Sequence, residues 1–125
     1  MRSDYENDRT ANVHVRQRGD AVIIRITGHI DESAADALNT ELDEVLEAGY
    51  KRIIFELSDV TFMGSSGLGQ IMRAYREVRN SEGYVRVVNP QPLIEDLFDL
   101  TKLNKIMTIH PSVENALAGG DEPTQ

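Results

Sequence analysis

Cysteine and tryptophan are absent from the 125-residue chain, and aromatic residues make up only 6% of it. Without cysteine, disulfides, thiolate catalysis and zinc–thiolate sites are excluded. No apolar run approaches the ~20 residues that span a bilayer, and the polar N-terminal residues contain no apolar segment of the kind found in signal peptides. We therefore expect a cytoplasmic protein rather than a membrane or secreted one.

Positive charge is also scarce, because 13 Lys and Arg stand against 21 Asp and Glu, for a net charge of −8. An acidic surface repels the phosphates of nucleic acids and the headgroups of anionic membranes, so we expect neither as a partner. With 40% apolar residues, the chain is nevertheless able to form a folded, mainly aliphatic core.

Two runs of alternating apolar and polar residues lie near the start of the chain and are separated only by Gly19 and Asp20. This pattern predicts a β-hairpin. In its second strand, Val22, Ile24 and Ile26 fall on one face and are expected to pack in the core.

Beyond the hairpin, strand and helix patterns alternate, and the whole order is β-β-α-β-α-β-α-β-α. This order predicts an α/β fold, here a single domain at residues 12–118. Its sheet should be mixed but mostly parallel, with the N-terminal hairpin at one edge and about four helices packed on it. The polar stretches at 1–11 and 119–125 are expected to be flexible.

Some local features allow more specific expectations. Ser33 and Asp36 have the spacing of a capping pair at the start of the first helix. The strand KRIIFELSDV should end at Ser58 and Asp59, where the aspartate would cap a turn. The third helix should begin near Pro92 and turn four apolar side chains inward, namely Leu93, Ile94, Leu97 and Phe98.

The most unusual segment is TFMGSSGLGQIM, at residues 61–72, which places two serines between glycines where a strand meets a helix. Gly64 and Gly69 have the G-x-x-x-x-G spacing of a phosphate-binding P-loop, but a P-loop continues with Lys and then Ser or Thr, whereas Gln70 and Ile71 follow here. A dinucleotide-binding loop would need glycine in place of Met72. A nucleophile elbow would need glycines both two residues before and two residues after its serine. Ser65 has Met63 in the first of these places, and Ser66 has Leu68 in the second. We therefore expect no enzyme, no cofactor and no metal site.

The simplest role for these serines is to cap the helix that follows them, since serine is among the best N-cap residues. One serine would suffice, however, and Gly67 and Gly69 each cost about 1 kcal/mol in a helix relative to alanine. Their presence in the first turns indicates that something approaches the helix backbone closely. The segment also follows a strand, and α/β proteins place their sites at the carboxyl edge of the sheet.

The sequence DVTFMGSSGLGQI resembles the signature of the bacterial anti-sigma-factor antagonists, the STAS-domain family, which carry D-V-x-F-M-D-S-S-G-L-G between a strand and a helix. Two further segments agree with the family. ITGHID resembles its G-E-L/I-D strand end, and LIEDLFDLTKLNKI resembles a helix that usually contains L-F-D-L-T-G-L. The three motifs occur in the family's order over about residues 13–117.

The resemblance implies an anti-sigma-factor antagonist that acts by partner switching and is not an enzyme. The unmodified protein would bind an anti-sigma serine kinase and free the sigma factor. The kinase would phosphorylate Ser65, the first serine of the motif, so that the complex dissociates, and a metal-dependent serine phosphatase would reset the protein. The implied partner-binding residues are Asp31, which matches the family's kinase-contacting aspartate, and Gly64, Ser65, Ser66, Gly67 and Gly69. The last two glycines would keep the surface bare for the kinase.

The chain departs from the family pattern at three positions. His29 replaces an acidic residue, and Lys102 replaces a glycine. Gly64 replaces the aspartate before the serines, and it either alters kinase recognition, weakens the switch or is an introduced substitution. It also favours an alternative function, a STAS scaffold or adaptor that binds a partner in a signalling or transport complex without being phosphorylated. A nucleotide-binding or hydrolytic domain is a third, less favoured hypothesis.

Overall fold

The structure is a computed structural model that describes residues 12–119. The two stretches that the sequence predicts to be flexible, 1–11 and 119–125, lie outside this range apart from Gly119. The predicted hairpin opens the described part of the chain, where β1 (Asn12–Arg18) and β2 (Ala21–Ile30) pair antiparallel.

In the described part of the chain, five strands form one sheet in chain order, and helices follow the predicted alternation. After the antiparallel hairpin, every neighbouring pair of strands is parallel. The remaining strands are β3 (Arg52–Met63), β4 (Tyr84–Val88) and β5 (Thr108–His110), and the helices are α1 (Glu32–Glu47), α2 (Ser65–Val78), α3 (Pro92–Leu100) and α4 (Val113–Ala118). The expected α/β domain with a mixed, mostly parallel sheet is therefore confirmed.

One face of the sheet carries most of the core. Val22, Ile24 and Ile26 of β2 are at most 2% exposed and pack there, as predicted. Helices α1, α2 and α3 cover this face with stripes of apolar residues at spacings of three and four. The short helix α4 packs on the opposite face, against Ile23 and Ile54. This arrangement leaves the carboxyl ends of the parallel strands free to carry a site.

Strand β3 is longer than the sequence predicts, because it continues past Ser58 and Asp59 to Met63. Two register shifts against β2 accommodate the extra length without ending the pairing. Asp59 therefore lies within the strand, where it forms an ion pair with Arg25 instead of capping a turn. The extension carries Phe62 to the edge at which the two serines follow.

The predicted cap of α1 is wrong. Asp31 is the N-cap, and its Oδ1 accepts a hydrogen bond from the Ala34 N–H at 3.0 Å. The residue just before a helix is placed to reach the N–H groups of the first turn, whereas Ser33 already lies inside the helix.

The inward face of α3 is narrower than predicted. Ile94 and Phe98 are buried and Leu97 is half-buried, but Leu93 is 64% exposed. A helix that buries positions four apart leaves the residue before the first of them at the margin of the apolar stripe. Leu93 therefore faces outward.

Candidate functional site

The candidate site forms where β2 and β3 end side by side. Ile30 and Met63 are paired in the parallel ladder, and the N–H of Gly64 donates a hydrogen bond to the Ile30 carbonyl at 3.0 Å. The two strands then lead into helices, α1 after Asp31 and α2 after Gly64. The sheet thus brings Asp31 and Ser65, which are far apart in sequence, to neighbouring positions at the carboxyl ends of two adjacent strands.

Asp31 is exposed and is positioned by its own helix. Its Oδ1 accepts from the Ala34 N–H at 3.0 Å, and its carbonyl accepts from the Ala35 N–H at 2.9 Å. The first of these bonds restricts the side chain before any partner binds. Glu32 follows in the first turn, so this corner of the molecule is acidic.

Ser65 and Ser66 are the first two residues of α2, and both are exposed. Gly64 is the N-cap, with an extended backbone (φ −85°, ψ 179°), and within residues 12–119 no side chain caps this helix. The interpretation that a serine caps α2 is therefore wrong. The first turn of α2 also contains no acidic residue, so the positive end of the helix dipole can interact with an anion.

The two glycines of α2 have different roles. A Cβ on Gly67 would lie 2.7 Å from Ile30 Cγ2 and 3.3 Å from Met63 Cγ, so a side chain there would push the helix away from the strand ends. Gly67 is buried, and the interpretation that it keeps the surface bare is wrong for this residue. Gly69 is exposed, and a Cβ there would meet nothing within 4 Å. It is the glycine that leaves the surface open.

A stacked pair of rings lies beside Gly64, which precedes the serines, and nothing in the sequence pattern indicates this pair. The His29 and Phe62 ring centroids are 4.4 Å apart, and the rings are 15° from parallel. They come from β2 and β3, and the register shifts between these strands place them opposite each other. Phe62 also lies close to the loop, because a Cβ on Gly64 would be 3.6 Å from its Cε2 atom.

The described residues contain no arrangement for catalysis at the serines. Between residues 12 and 119 no histidine hydrogen-bonds Ser65 or Ser66: His29 stacks on Phe62, His110 bonds Asn115 and Thr108, and His14 lies on β1 opposite Arg25. The same part of the chain holds no group of three His, Asp or Glu side chains placed to bind a metal. None of its helices combines the length and apolarity needed to cross a membrane.

Comparison with known proteins places this fold in a family. Residues 12–116 match the family model of the STAS domain. An anti-sigma F factor antagonist from Paenibacillus polymyxa is 32% identical over 97 residues, which cover 77% of this chain and 83% of that protein. The anti-sigma-B factor antagonist of Bacillus subtilis (strain 168) is 31% identical over 106 residues, which cover 85% of this chain and 96% of that protein.

A crystal structure of an anti-sigma factor antagonist from Mycobacterium paratuberculosis is also similar, with a TM-score of 0.80 and 25% identity over 89% of this chain and 94% of that one. The family match and these relatives thus define a regulatory binding protein and not an enzyme. The chain belongs to the STAS-domain family of anti-sigma factor antagonists.

Proposed function

We propose that the chain is a cytoplasmic anti-sigma factor antagonist that works by partner switching. In its unmodified form it binds an anti-sigma factor serine kinase and frees a sigma factor. Phosphorylation of Ser65 ends this binding, and a metal-dependent serine phosphatase restores it. The observation that carries the proposal is the exposure of both Asp31 and Ser65 at the ends of two neighbouring strands.

The partner-binding surface is defined by the accessible residues of this edge, namely Asp31, Gly64, Ser65, Ser66 and Gly69. Gly67 supports the surface from below, because it allows α2 to pack against the strand ends. Ser65 is itself exposed, and its exposed neighbours at the start of α2, Ser66 and Gly69, are small. A kinase active site can therefore reach the Ser65 hydroxyl.

The chemical step is a phosphoryl transfer from ATP to Ser65. The bond between Ser65 Oγ and the γ-phosphorus forms while the bond from that phosphorus to the β,γ-bridging oxygen breaks, ADP leaves, and the hydroxyl proton passes to a base of the kinase. The phosphate carries about −1.5 to −2 charges at pH 7. The N–H groups at the start of α2 accommodate that charge in the free protein, so the fold is retained.

The same phosphate is unfavourable inside an interface. Asp31 and Glu32 already make the neighbouring corner acidic. A partner shaped to fit the unmodified Ser65 hydroxyl would have to bury the added group without compensating charge, which weakens binding strongly. Phosphorylation therefore releases the partner and leaves the domain folded.

The test uses a kinase panel, which consists of the anti-sigma factor kinases of the organism that encodes this chain and the anti-sigma F factor of Paenibacillus polymyxa. We expect the wild type to bind at least one member, to gain one phosphate with MgATP, and then to dissociate. Peptide mapping should place the phosphate on Ser65, so Ser65→Ala should abolish phosphorylation and Ser66→Ala should retain it. Phosphate found only on Ser66 contradicts the assignment.

A second function, the scaffold or adaptor that is not phosphorylated, is favoured by one observation. Gly64 leaves the start of α2 without a side-chain cap or an acidic residue in its first turn, within the described residues. Binding of a panel member without phosphorylation of either serine would support this alternative. Failure of every panel member to bind would argue against the proposed antagonist itself.

A further inference from the structure

An apolar groove lies beside the partner-binding surface, at the same edge of the sheet. Its volume is about 230 Å³, and its walls are the end of β3 and the outward side of α3. The apolar lining consists of Phe62, Met63, Leu93, Ile94, Leu97 and Leu100. Pockets for small molecules are usually larger, about 300–1,000 Å³, so the groove suits side chains of another protein better than a free ligand.

The groove has unusually exposed apolar walls. Leu93 is 64% exposed, Leu100 is 78% exposed, and Phe62 opposite them is 40% exposed. Helix α3 already packs against the core through Ile94 and Phe98, so the outer leucines are not needed to hold it in place. Grouped apolar side chains with a polar rim are typical of protein contact sites.

The charges around the groove restrict the chemistry of its occupant. Helix α3 exposes Glu95, Asp96 and Asp99 and contains no Lys or Arg. Asp31 adds a further exposed carboxylate on the partner-binding surface. A complementary segment therefore carries apolar side chains flanked by Lys or Arg.

Two other occupants match this charge pattern less well. A second copy related by a two-fold axis would bring Asp96 and Asp99 near their own counterparts, and like charges in an interface are unfavourable. Residues 1–11 of the same chain contain three acidic and two basic side chains, with Tyr5 as their one aromatic residue. That segment supplies neither a net positive charge nor an apolar cluster.

We propose that the groove binds an apolar segment, flanked by basic residues, of the same anti-sigma factor that engages the partner-binding surface. This inference rests on the proposed function. The groove is continuous with that surface, because Phe62 and Met63 directly precede Gly64 and Ser65. Recognition then has two parts. One is a contact at Ser65 that phosphate disrupts, and the other is an anchor in the groove, which binds the same partner at a place distant from the reacting hydroxyl.

The test replaces the two most exposed leucines of the full chain, as Leu93→Ser, Leu100→Ser and the double variant. Val15→Ser is the matched control, because Val15 is 37% exposed on β1 and pairs with Ile24, away from this edge. Exposed substitutions of this kind leave stability nearly unchanged, and thermal melts of all four variants verify the fold. Calorimetry then measures Kd against the member of the kinase panel that binds the wild type.

We expect the double variant to raise Kd about tenfold or more and the Val15→Ser control to bind like the wild type. In phosphorylation assays the double variant should raise KM with kcat unchanged, because the anchor does not touch the transferred phosphate. Asp96→Lys should slow association and flatten its dependence on salt.

Each contrary result has a separate meaning. If the wild type binds and the double variant has the same Kd, the groove assignment is overturned and the proposed function stands. If no panel member binds the wild type, both are overturned. A wild-type dimer that Leu93→Ser dissociates would assign the groove to a second copy. Tighter kinase binding by Tyr5→Ser would assign the groove to residues 1–11, because a segment that occupies the groove competes with the kinase.

Discussion

At the scale of single residues, Gly64 is the most informative position, because the family pattern has an aspartate there. Its backbone (φ −85°, ψ 179°) is one that any residue adopts, and a Cβ would make an ordinary contact of 3.6 Å with Phe62. We expect Gly64→Asp to raise the free energy of unfolding by about 0.3–1 kcal/mol, since the carboxylate can accept N–H bonds and interacts with the helix dipole. It should also speed phosphorylation of Ser65. Urea denaturation and single-turnover phosphorylation measure the two effects.

Gly64→Ala is the control for this prediction, because it adds the same Cβ without the carboxylate. Alanine is a poor N-cap, so this variant should be no more stable than the wild type. Equal gains for alanine and aspartate would attribute the effect to lost backbone freedom in the unfolded chain. An equal or slower phosphorylation rate for Gly64→Asp would show that this chain does not depend on an acidic residue there.

At the scale of the element, α2 contains a matched pair of glycines with opposite expected effects. Gly67→Ala should lower the free energy of unfolding by about 1–3 kcal/mol, because its Cβ would lie 2.7 Å from Ile30 Cγ2. Gly69→Ala should raise it by up to about 1 kcal/mol, since its Cβ meets nothing within 4 Å and alanine favours a helix. Urea denaturation of both variants provides the comparison.

For Gly69, one of these two glycines, we expect stability and partner binding to change in opposite directions. Gly69 belongs to the proposed partner-binding surface, so we expect Gly69→Ala to weaken binding to the kinase panel even though the domain is more stable. A more stable Gly69→Ala variant that binds like the wild type would remove Gly69 from that surface. A Gly67→Ala variant that is as stable as the wild type would show that α2 can shift away from the strand ends without loss.

At the scale of the whole molecule, the core face of the sheet determines whether the domain folds. Ile24 is 0% exposed in the central apolar cluster. Ile24→Asp would bury an unpaired carboxylate, which costs several kcal/mol or more, whereas a whole domain is stable by only about 5–15 kcal/mol. We expect this variant to be unfolded at 25 °C by circular dichroism. Arg16→Asp, on the exposed side of β1, should fold normally, and a cooperative melt near the wild-type temperature for Ile24→Asp would contradict the strand register.

The sequence by itself determined the order of strands and helices, the hairpin at Gly19 and Asp20, and the buried face of β2. These features depend on periods of 2 and 3.6 residues and on turn residues, which act over a few neighbouring positions. The meeting of Asp31 and Ser65 at one edge was also predictable, because parallel neighbouring strands end on the same side of a sheet.

Only the tertiary structure decided how far β3 runs, that His29 stacks on Phe62, that Gly67 packs against Ile30, and that Leu93 faces outward. A strand continues or ends according to the register of its neighbour, and two shifts in that register set the end of β3. The close approach of α2 and the margin of the α3 stripe likewise depend on where distant segments pack against each other. Local periodicity contains no information about such contacts, so they exist as definite features only once the sheet and its helices are assembled.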